Sequence, residues 1–260
     1  MNTKKALATT IILLMIMNIA LGVYVAAISS GKGTGDIITY TENILAQRNI
    51  VLECSIPDIN FKASPISVGE SIFTPQSVES IKTATGGDAY FDEQTGVLTY
   101  IRSNVGNANS GEINRTAADI AAAEFMESIG LGKEDFILDF AMETSRDTYV
   151  LKYILYDGTG IYYYDNFIET TVTGRDVVTA KINYYKTGNI VRQEEDVMPV
   201  SAILLSNLVR EQNKTLSIIS ITRGFKKKAI DSNEATMCWR VRFGDGSERF
   251  FEASSGLEIK

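Results

Sequence analysis

The sequence predicts an α+β protein in which a single N-terminal transmembrane helix precedes an extracytoplasmic domain of antiparallel sheets with a few helices. Three observations support this fold class. An uncharged apolar run lies near the N-terminus, turn-forming glycines recur between aromatic-rich segments that alternate in polarity, and a few segments carry helical periodicity. With 45% hydrophobic residues, a chain of 260 residues can bury a substantial core.

The composition excludes several function classes. The chain has no histidine, so it cannot form a Ser-His-Asp triad, a Cys-His pair or a His-ligated zinc site. Its 32 acidic residues outnumber its 25 basic ones, which argues against a nucleic-acid partner. We therefore expect a protein that is not an enzyme and that carries no catalytic residues, no metal and no cofactor.

The N-terminal region predicts a retained membrane anchor. Residues 1–5 are basic, and the uncharged run 6–28 would form a helix about 34 Å long, enough to cross a bilayer. The lysines before the run place the N-terminus in the cytoplasm and the rest of the chain outside the cell membrane. A cleavable signal peptide is the alternative, although its apolar region is shorter. Residues 29–35 form a flexible linker.

One stripe of this predicted helix suits a helical partner. Asn18, Gly22 and Ala26 follow one another at four-residue spacing. Small residues allow two backbones to approach closely in lipid, and an amide favours a hydrogen bond across the interface. The alternative is that such residues are simply tolerated in a membrane span.

The part outside the membrane is acidic and divides into two α+β segments, residues 36–108 and 113–260. The division is predicted in a stretch rich in Gly and Asn between them. The first segment opens with a helix that begins at Asp36, and its predicted apolar face contains Ile37, Tyr40, Ile44 and Leu45. After it, Pro65 and Pro75 are expected to interrupt regular structure.

Three segments predict β-hairpins, each with a glycine at positive φ in the turn. They are Tyr90 to Ile101 with Gly96, Ile182 to Val191 with Gly188, and Arg249 to Lys260 with Gly256. A further hairpin is predicted at Asp245-Gly246.

Two further helices are predicted in the second segment. One starts at Thr116, with Asp119 in a capping box, and ends at Gly130. The other runs from Ser201, as the N-cap residue, to Gln212.

Charged clusters and cysteines leave alternatives open. Glu194, Glu195 and Asp196 are either a cation site or a solvated run, and adjacent strand residues point to opposite faces, which favours the solvated run. Lys226 to Lys228 are expected to be a solvated strand end or a guard of an edge strand, with docking to an acidic partner as a weaker alternative.

Cys54 and Cys238 either form a disulfide or stay free. Trp239 is expected in the core, with Val241 on the same face.

Several segments together resemble the YycI family. They are NIALGVYVA at the end of the apolar run, ILAQRNIVLECSIP, the SAILLSNL helix, the strands ISITRGF and WRVRF, and the closing FFEASSG turn. The tail from WRV to SSG also resembles a PepSY-type hairpin.

The resemblance implies a non-enzymatic regulator of cell-wall homeostasis in Gram-positive bacteria. Such a protein would contact a sensor histidine kinase of the YycG (WalK) type and a YycH-like protein in the cell membrane. An alternative is an anchored PepSY-like module that inhibits a peptidase or captures a peptide or wall-derived ligand. An anchored hydrolase that uses carboxylates alone is disfavoured, because no motif singles out an acidic pair.

Overall fold

The computed structural model describes residues 34–59, 61–103, 113–191, 194–208 and 215–259. Within these ranges the chain forms an α+β fold, as the sequence predicts. The predicted span 6–28, including Asn18, Gly22 and Ala26, lies outside the described residues. None of the helices in the described ranges is both long and apolar enough to cross a membrane.

The described helices and strands follow one another in a mixed order. The helices are α1 (Thr34–Gln47), α2 (Pro75–Thr85), α3 (Arg115–Ser128) and α4 (Val200–Leu208), with a 3₁₀ turn at Lys133–Asp135. The strands are β1 (Ile50–Leu52), β2 (Lys62–Ala63), β3 (Ile66–Ser71), β4 (Asp88–Asp92), β5 (Val97–Ile101), β6 (Phe136–Ser145), β7 (Thr148–Tyr156), β8 (Tyr162–Thr173), β9 (Asp176–Asn183), β10 (Tyr185–Ile190), β11 (Glu195–Asp196), β12 (Leu216–Lys227), β13 (Glu234–Phe243), β14 (Glu248–Glu252) and β15 (Glu258–Ile259).

Most strands belong to one sheet of 13 strands. Its main path is β10-β3-β13-β12-β8-β9-β5-β4. Strands β6 and β7 extend it beside β8, and β14 and β15 extend it beside β13. The pairs are antiparallel except β1 with β12 and β8 with β12.

The sheet carries two main hydrophobic cores. In the first, α1 packs on α4 and β1, and buried side chains of both helices join those of β12, β13 and β14 in one cluster around Trp239 and Phe251; its buried members come from residues 45–68 and 185–253. In the second, α2 and α3 cover β4 to β9, and its buried members come from residues 73–182. The second core is thus inserted in sequence between the two parts of the first. The predicted division between residues 108 and 113 stays a prediction about domains.

Helix α1 forms where the sequence predicts a helix, but the face that it buries is shifted from the predicted one, of which Leu45 is fully buried and Ile44 is half-buried. Thr41 and Leu45 are fully buried and Ile38 packs beside them, whereas Ile37 and Tyr40 are exposed. The Thr41 hydroxyl donates to the carbonyl of Ile37 at 2.8 Å, so a polar residue enters the core without losing a hydrogen bond. The face that hydrophobicity alone predicts is therefore rotated about the helix axis away from the face that is buried.

Helix α2 contradicts the expectation that Pro75 interrupts regular structure. The first residue of a helix has no intrahelical acceptor for its backbone N–H, so a proline, which lacks this group, is tolerated there. Thr74 is the N-cap, and it forms a reciprocal capping box with Ser77. Gly86 ends the helix at φ 69°.

The other two predicted helices are present with shifted starts. Helix α3 is capped by Asn114, whose side chain accepts from the Ala117 amide at 2.9 Å, and Gly130 follows its end at φ 82°. The predicted capping residue Asp119 instead accepts from Tyr153 at 2.7 Å. Helix α4 starts at Val200, so Ser201 is a buried helical residue and not the N-cap.

Three of the four predicted hairpins are confirmed. Gly96, Gly246 and Gly256 lie at positive φ between antiparallel strands. The hairpin predicted at Gly188 is wrong, because this glycine lies within β10, which pairs with β3. A Cβ at Gly188 would lie 2.2 Å from Ser67 Oγ, so glycine here permits a close strand approach.

Candidate functional site

Strand β8 changes its neighbour halfway along its length. At Tyr162 and Tyr163 it pairs in parallel with β12, and from Phe167 onward it pairs antiparallel with β9. Asp165 and Asn166 lie between these two stretches. Strands β12 and β9 therefore diverge at this point, and we call the space between them the fork cleft.

Two side chains replace the strand pairing that is lost at the fork. The Asn166 amide donates to the carbonyl of Tyr185 at 3.0 Å and accepts from its backbone N–H at 2.9 Å. Asp165 Oδ2 accepts from the backbone N–H of Lys227 at 2.6 Å, and Oδ1 accepts from Lys226 Nζ at 3.2 Å. The backbone groups at the fork are thus satisfied without a continuing strand.

The fork cleft encloses a cavity of about 260 Å³. Its lining combines charged, polar and apolar side chains: Thr95, Val97, Asp165, Asn183, Tyr185, Lys226, Lys227, Ala229 and Ile230. A larger hollow of about 510 Å³ lies beside α1 and β1, where Glu42 is the one charged residue of its described lining. The fork cleft is the better candidate because it brings both charge signs and buried polar groups together.

The lysines at the end of β12 differ from the solvated strand end that the sequence predicts. Lys226 and Lys227 are half-buried, and their ammonium groups lie 4.6 Å from the Phe250 ring and 4.4 Å from the Tyr185 ring. Lys228 is exposed and pairs with Glu252 at 2.5 Å. Alternation along the strand sends Lys226 and Lys227 to opposite sides of the sheet.

Lys227 is the distinctive charge of the cleft. Asp165 is already paired with Lys226, and no carboxylate among the described residues lies within ion-pairing distance of Lys227. Burial lowers the pKa of Lys227, although the charges of Asp165 and Asp231 act in the opposite direction. The cleft therefore presents one ammonium group without a direct counterion.

Asn183 lines the cleft, and its Oδ1 atom is buried beneath the cleft surface. It is only 9% exposed, and its Oδ1 has no hydrogen-bond partner among the residues that the structure describes. The neighbouring Tyr185 hydroxyl donates to the carbonyl of Thr95. Burial raises the pKa of Tyr185, so the phenol is neutral at physiological pH.

A second polar cluster joins β6 to β13. The Arg240 guanidinium is 2% exposed and donates to both oxygens of Asp139, at 2.9 and 2.8 Å. Arg242 bridges Asp139 and Glu248. Burial acts to raise the pKa of Asp139, but the two guanidinium groups outweigh it and lower that pKa. This carboxylate stays ionised and has a structural role.

The acidic run and the cysteines offer no reactive site in the described residues. Glu194, Glu195 and Asp196 are exposed, and no group of three potential metal ligands occurs within the described ranges. Cys54 and Cys238 are both free thiols. Cys238 and Trp239 are adjacent on β13, so their side chains point to opposite faces of the sheet. Cys54 packs against the first core, which contains Trp239, whereas Cys238 belongs to a small cluster with Ile154 and Tyr164.

The fork cleft was not predicted from the sequence. The sequence indicates Lys226 and Lys227 as charged residues at a strand end, but it does not indicate a site that contains Asp165, Asn166, Asn183 and Tyr185. The available signal was a polar Asp-Asn pair inside an otherwise aromatic and apolar strand segment, YYYDNFI. Such a break in a strand pattern indicates a change of pairing only once the neighbouring strands are known.

Comparison with known proteins identifies a class of fold: an α+β architecture shared with a solved structure. No family profile and no curated protein matches the sequence. An uncharacterised protein from Eubacterium rectale matches with a TM-score of 0.50 and 10% identity, over 82% of this chain and 91% of that chain. The C-terminal domain of Bacillus megaterium YpeB matches with a TM-score of 0.42 and 12% identity, over 74% and 97%. The resemblance to the YycI family stays a prediction.

Proposed function

We propose that this chain is a non-enzymatic, membrane-anchored regulator that modulates a cell-wall sensor histidine kinase. The apolar run 6–28 would contact kinase helices, and the described domain would bind a signal on the outer side of the cell membrane. The YycI-like segments support a kinase of the YycG type and a YycH-like protein as partners. The absence of histidine from the whole sequence supports a role without acid-base catalysis by that residue.

The position of α1 is the observation that carries this proposal. The described part of α1 begins at Thr34, so five residues, 29–33, separate it from the predicted span, and five residues reach at most about 18 Å. At its other end, Leu45 is fully buried against the first core, where α1 packs on α4 and β1. A displacement of the first core that exceeds the reach of this short linker would therefore pull on the membrane helix.

The fork cleft provides the second part of the mechanism. It lies between β12, which belongs to the first core, and β9, which belongs to the second. A ligand bound there would change the relative positions of the two cores. A coupling free energy of about 1 to 3 kcal/mol would alter kinase activity several-fold.

The partner stripe Asn18, Gly22 and Ala26 gives the first testable prediction. We expect the double variant Asn18→Leu, Gly22→Leu to lose association with the kinase, because the larger side chains hold two helices apart. Co-purification from membranes and autophosphorylation in proteoliposomes would measure the effect. Ala20→Leu, on the opposite side of the predicted helix, is the matched control and should keep association. The proposal fails if both the double variant and a complete replacement of the helix leave association and autophosphorylation unchanged.

The second candidate function is an anchored PepSY-like module that captures a peptide or inhibits a peptidase without a kinase. The fork cleft favours it, because a binding site outside the membrane requires no helical partner. The chain with an unrelated membrane helix separates the two functions. Retained extracellular binding, together with an unchanged kinase in the presence of either version, would favour the second function.

A further inference from the structure

We propose that the fork cleft binds the C-terminal residue of a short peptide, with its free carboxylate at Lys227. This inference rests on the proposed function as a binding module and specifies the ligand class. The groups that carry it are the ammonium of Lys227, the Oδ1 atom of Asn183 and the apolar side chains beside them.

The charge of the cleft selects a single carboxylate. Lys226 and Asp165 neutralise one another at 3.2 Å, which leaves Lys227 as the ammonium without an ion pair among the described residues. A carboxylate would match this one positive charge through a charge-assisted hydrogen bond. A phosphate dianion would bring a second negative charge close to Asp165, and an amine would repel Lys227. A carboxylate is therefore favoured over both.

The hydrogen-bonding groups of the cleft favour a peptide over a simple acid. Asn183 is nine-tenths buried and its Oδ1 lacks a donor in the described structure. A buried acceptor without a partner costs free energy, so a turn of the Asn183 amide that brings Oδ1 to an N–H group of a ligand in the cleft is favourable. An amide N–H close to a carboxylate is the arrangement found at the C-terminal residue of a peptide.

The remaining lining suits a small apolar side chain. Val97, Ala229 and Ile230 border the same cavity, and Ile230 is 70% exposed. The volume of about 260 Å³ equals the liquid volume of about nine waters, which accommodates one or two small residues. A peptide ending in small apolar residues satisfies the charge, the acceptor and the size together.

The experiment is a calorimetric titration of the full chain in lipid nanodiscs. The probes are the capped dipeptide N-acetyl-alanyl-alanine, its C-terminal amide and propionate, a carboxylate without an amide group. We expect the dipeptide with a free carboxylate to bind at least about tenfold more tightly than the amide, because the amide cannot pair with the ammonium. We expect propionate to bind more weakly than the dipeptide, because it lacks the amide N–H. Equal binding of the dipeptide and its amide, or no binding of either, would overturn the proposal.

Substitution of the lysine tests the assigned position. Lys227→Met keeps an unbranched side chain at this position and removes the charge that lies over the Tyr185 ring, so we expect about a tenfold loss of affinity. Lys228→Met is the matched control, because Lys228 is exposed and pairs with Glu252 outside the cleft. Thermal unfolding of each variant establishes that the fold is intact. Equal affinity of the folded Lys227→Met variant and the unaltered chain would contradict the site.

A measurement on the unaltered chain keeps the inference falsifiable if Lys227→Met does not fold. An amine-reactive reagent followed by mass spectrometry reports the accessibility of each lysine. Saturating N-acetyl-alanyl-alanine, which has no amine to consume the reagent, should protect Lys227 and leave Lys228 equally reactive, whereas equal labelling of Lys227 with and without the dipeptide would overturn the proposal. Kinase association that depends on Asn18 and Gly22 without any peptide binding would refute this inference alone. Peptide binding without any effect on a kinase would refute the regulatory function alone.

Discussion

The paired charges of Asp139 and Arg240 illustrate how single residues determine this fold. Arg240 lies on β13 at 2% exposure, and Asp139 on β6 is 4% exposed. Burying two charges is costly, and their mutual attraction offsets the cost only with good geometry. The bidentate contact, the Tyr164 ring at 4.8 Å and the bond from Arg240 Nε to Thr222 at 3.1 Å meet that condition.

Removing the carboxylate charge leaves the guanidinium buried and uncompensated. We expect Asp139→Asn to lower the free energy of unfolding by about 3 kcal/mol. Urea unfolding of the chain, followed by the fluorescence of Trp239 in the first core, would measure it. The matched control is Asp176→Asn, whose exposed pair with Arg102 should contribute less than about 1 kcal/mol. Equal losses for the two variants would contradict the structural role of the buried pair.

The same carboxylate predicts a pH dependence. The pKa of Asp139 in the folded chain is below its ordinary value of 3.8, because Arg240 and Arg242 outweigh the effect of burial. The folded state therefore binds this proton less readily than the unfolded state. The stabilising contribution is complete above about pH 5 and is lost as the pH falls through 3.8 towards the folded pKa. We expect the stability difference between the unaltered chain and Asp139→Asn to shrink between pH 5 and 3, and a constant difference would contradict the assignment.

Element by element, predictions from local patterns succeed where a turn or cap determines the structure. Gly96 and Gly256 indicate hairpins correctly because positive φ is a local requirement. Gly188 fails because its reason is the proximity of β3, which local sequence does not reveal. The prediction that Pro75 interrupts regular structure is wrong because Thr74 caps a helix whose first residue is Pro75. The predicted face of α1 is shifted from the buried one because the Thr41 hydroxyl donates to a backbone carbonyl of the same helix, which allows this polar residue to be buried.

Gly224 gives the sharpest prediction for an element. It lies where β12 meets β8, and an added Cβ would lie 2.2 Å from the carbonyl oxygen of Tyr162. That oxygen belongs to the backbone and cannot rotate away, so we expect Gly224→Ala to destabilise the chain by about 2 to 3 kcal/mol. Chemical denaturation would measure the loss. Gly35→Ala is the control, since nothing lies near its added Cβ and alanine favours the helix. Similar stabilities for the two variants would contradict the close pairing at the fork.

For the whole molecule, the sequence predicts the α+β class but not the arrangement of the cores. The second core interrupts the first, and strands as distant in sequence as β3 and β13 pair with one another. The fork cleft arises from this long-range arrangement, because Asp165, Asn183 and Lys227 come from three different strands. The periodicity of hydrophobic residues predicts which side of each helix or strand is buried, but it does not predict which strands pair with one another.

The central claim is that the external domain acts on a kinase through the short connection between the predicted span and α1. The most direct test compares kinase autophosphorylation in proteoliposomes that contain the intact chain, the chain with ten Gly and Ser residues inserted after residue 31, or no chain. A flexible insertion separates the motion of the domain from that of the membrane helix. We predict that the inserted chain still associates with the kinase but that the autophosphorylation rate moves towards that of the kinase alone. An inserted chain that changes the rate as much as the intact chain does would contradict the account.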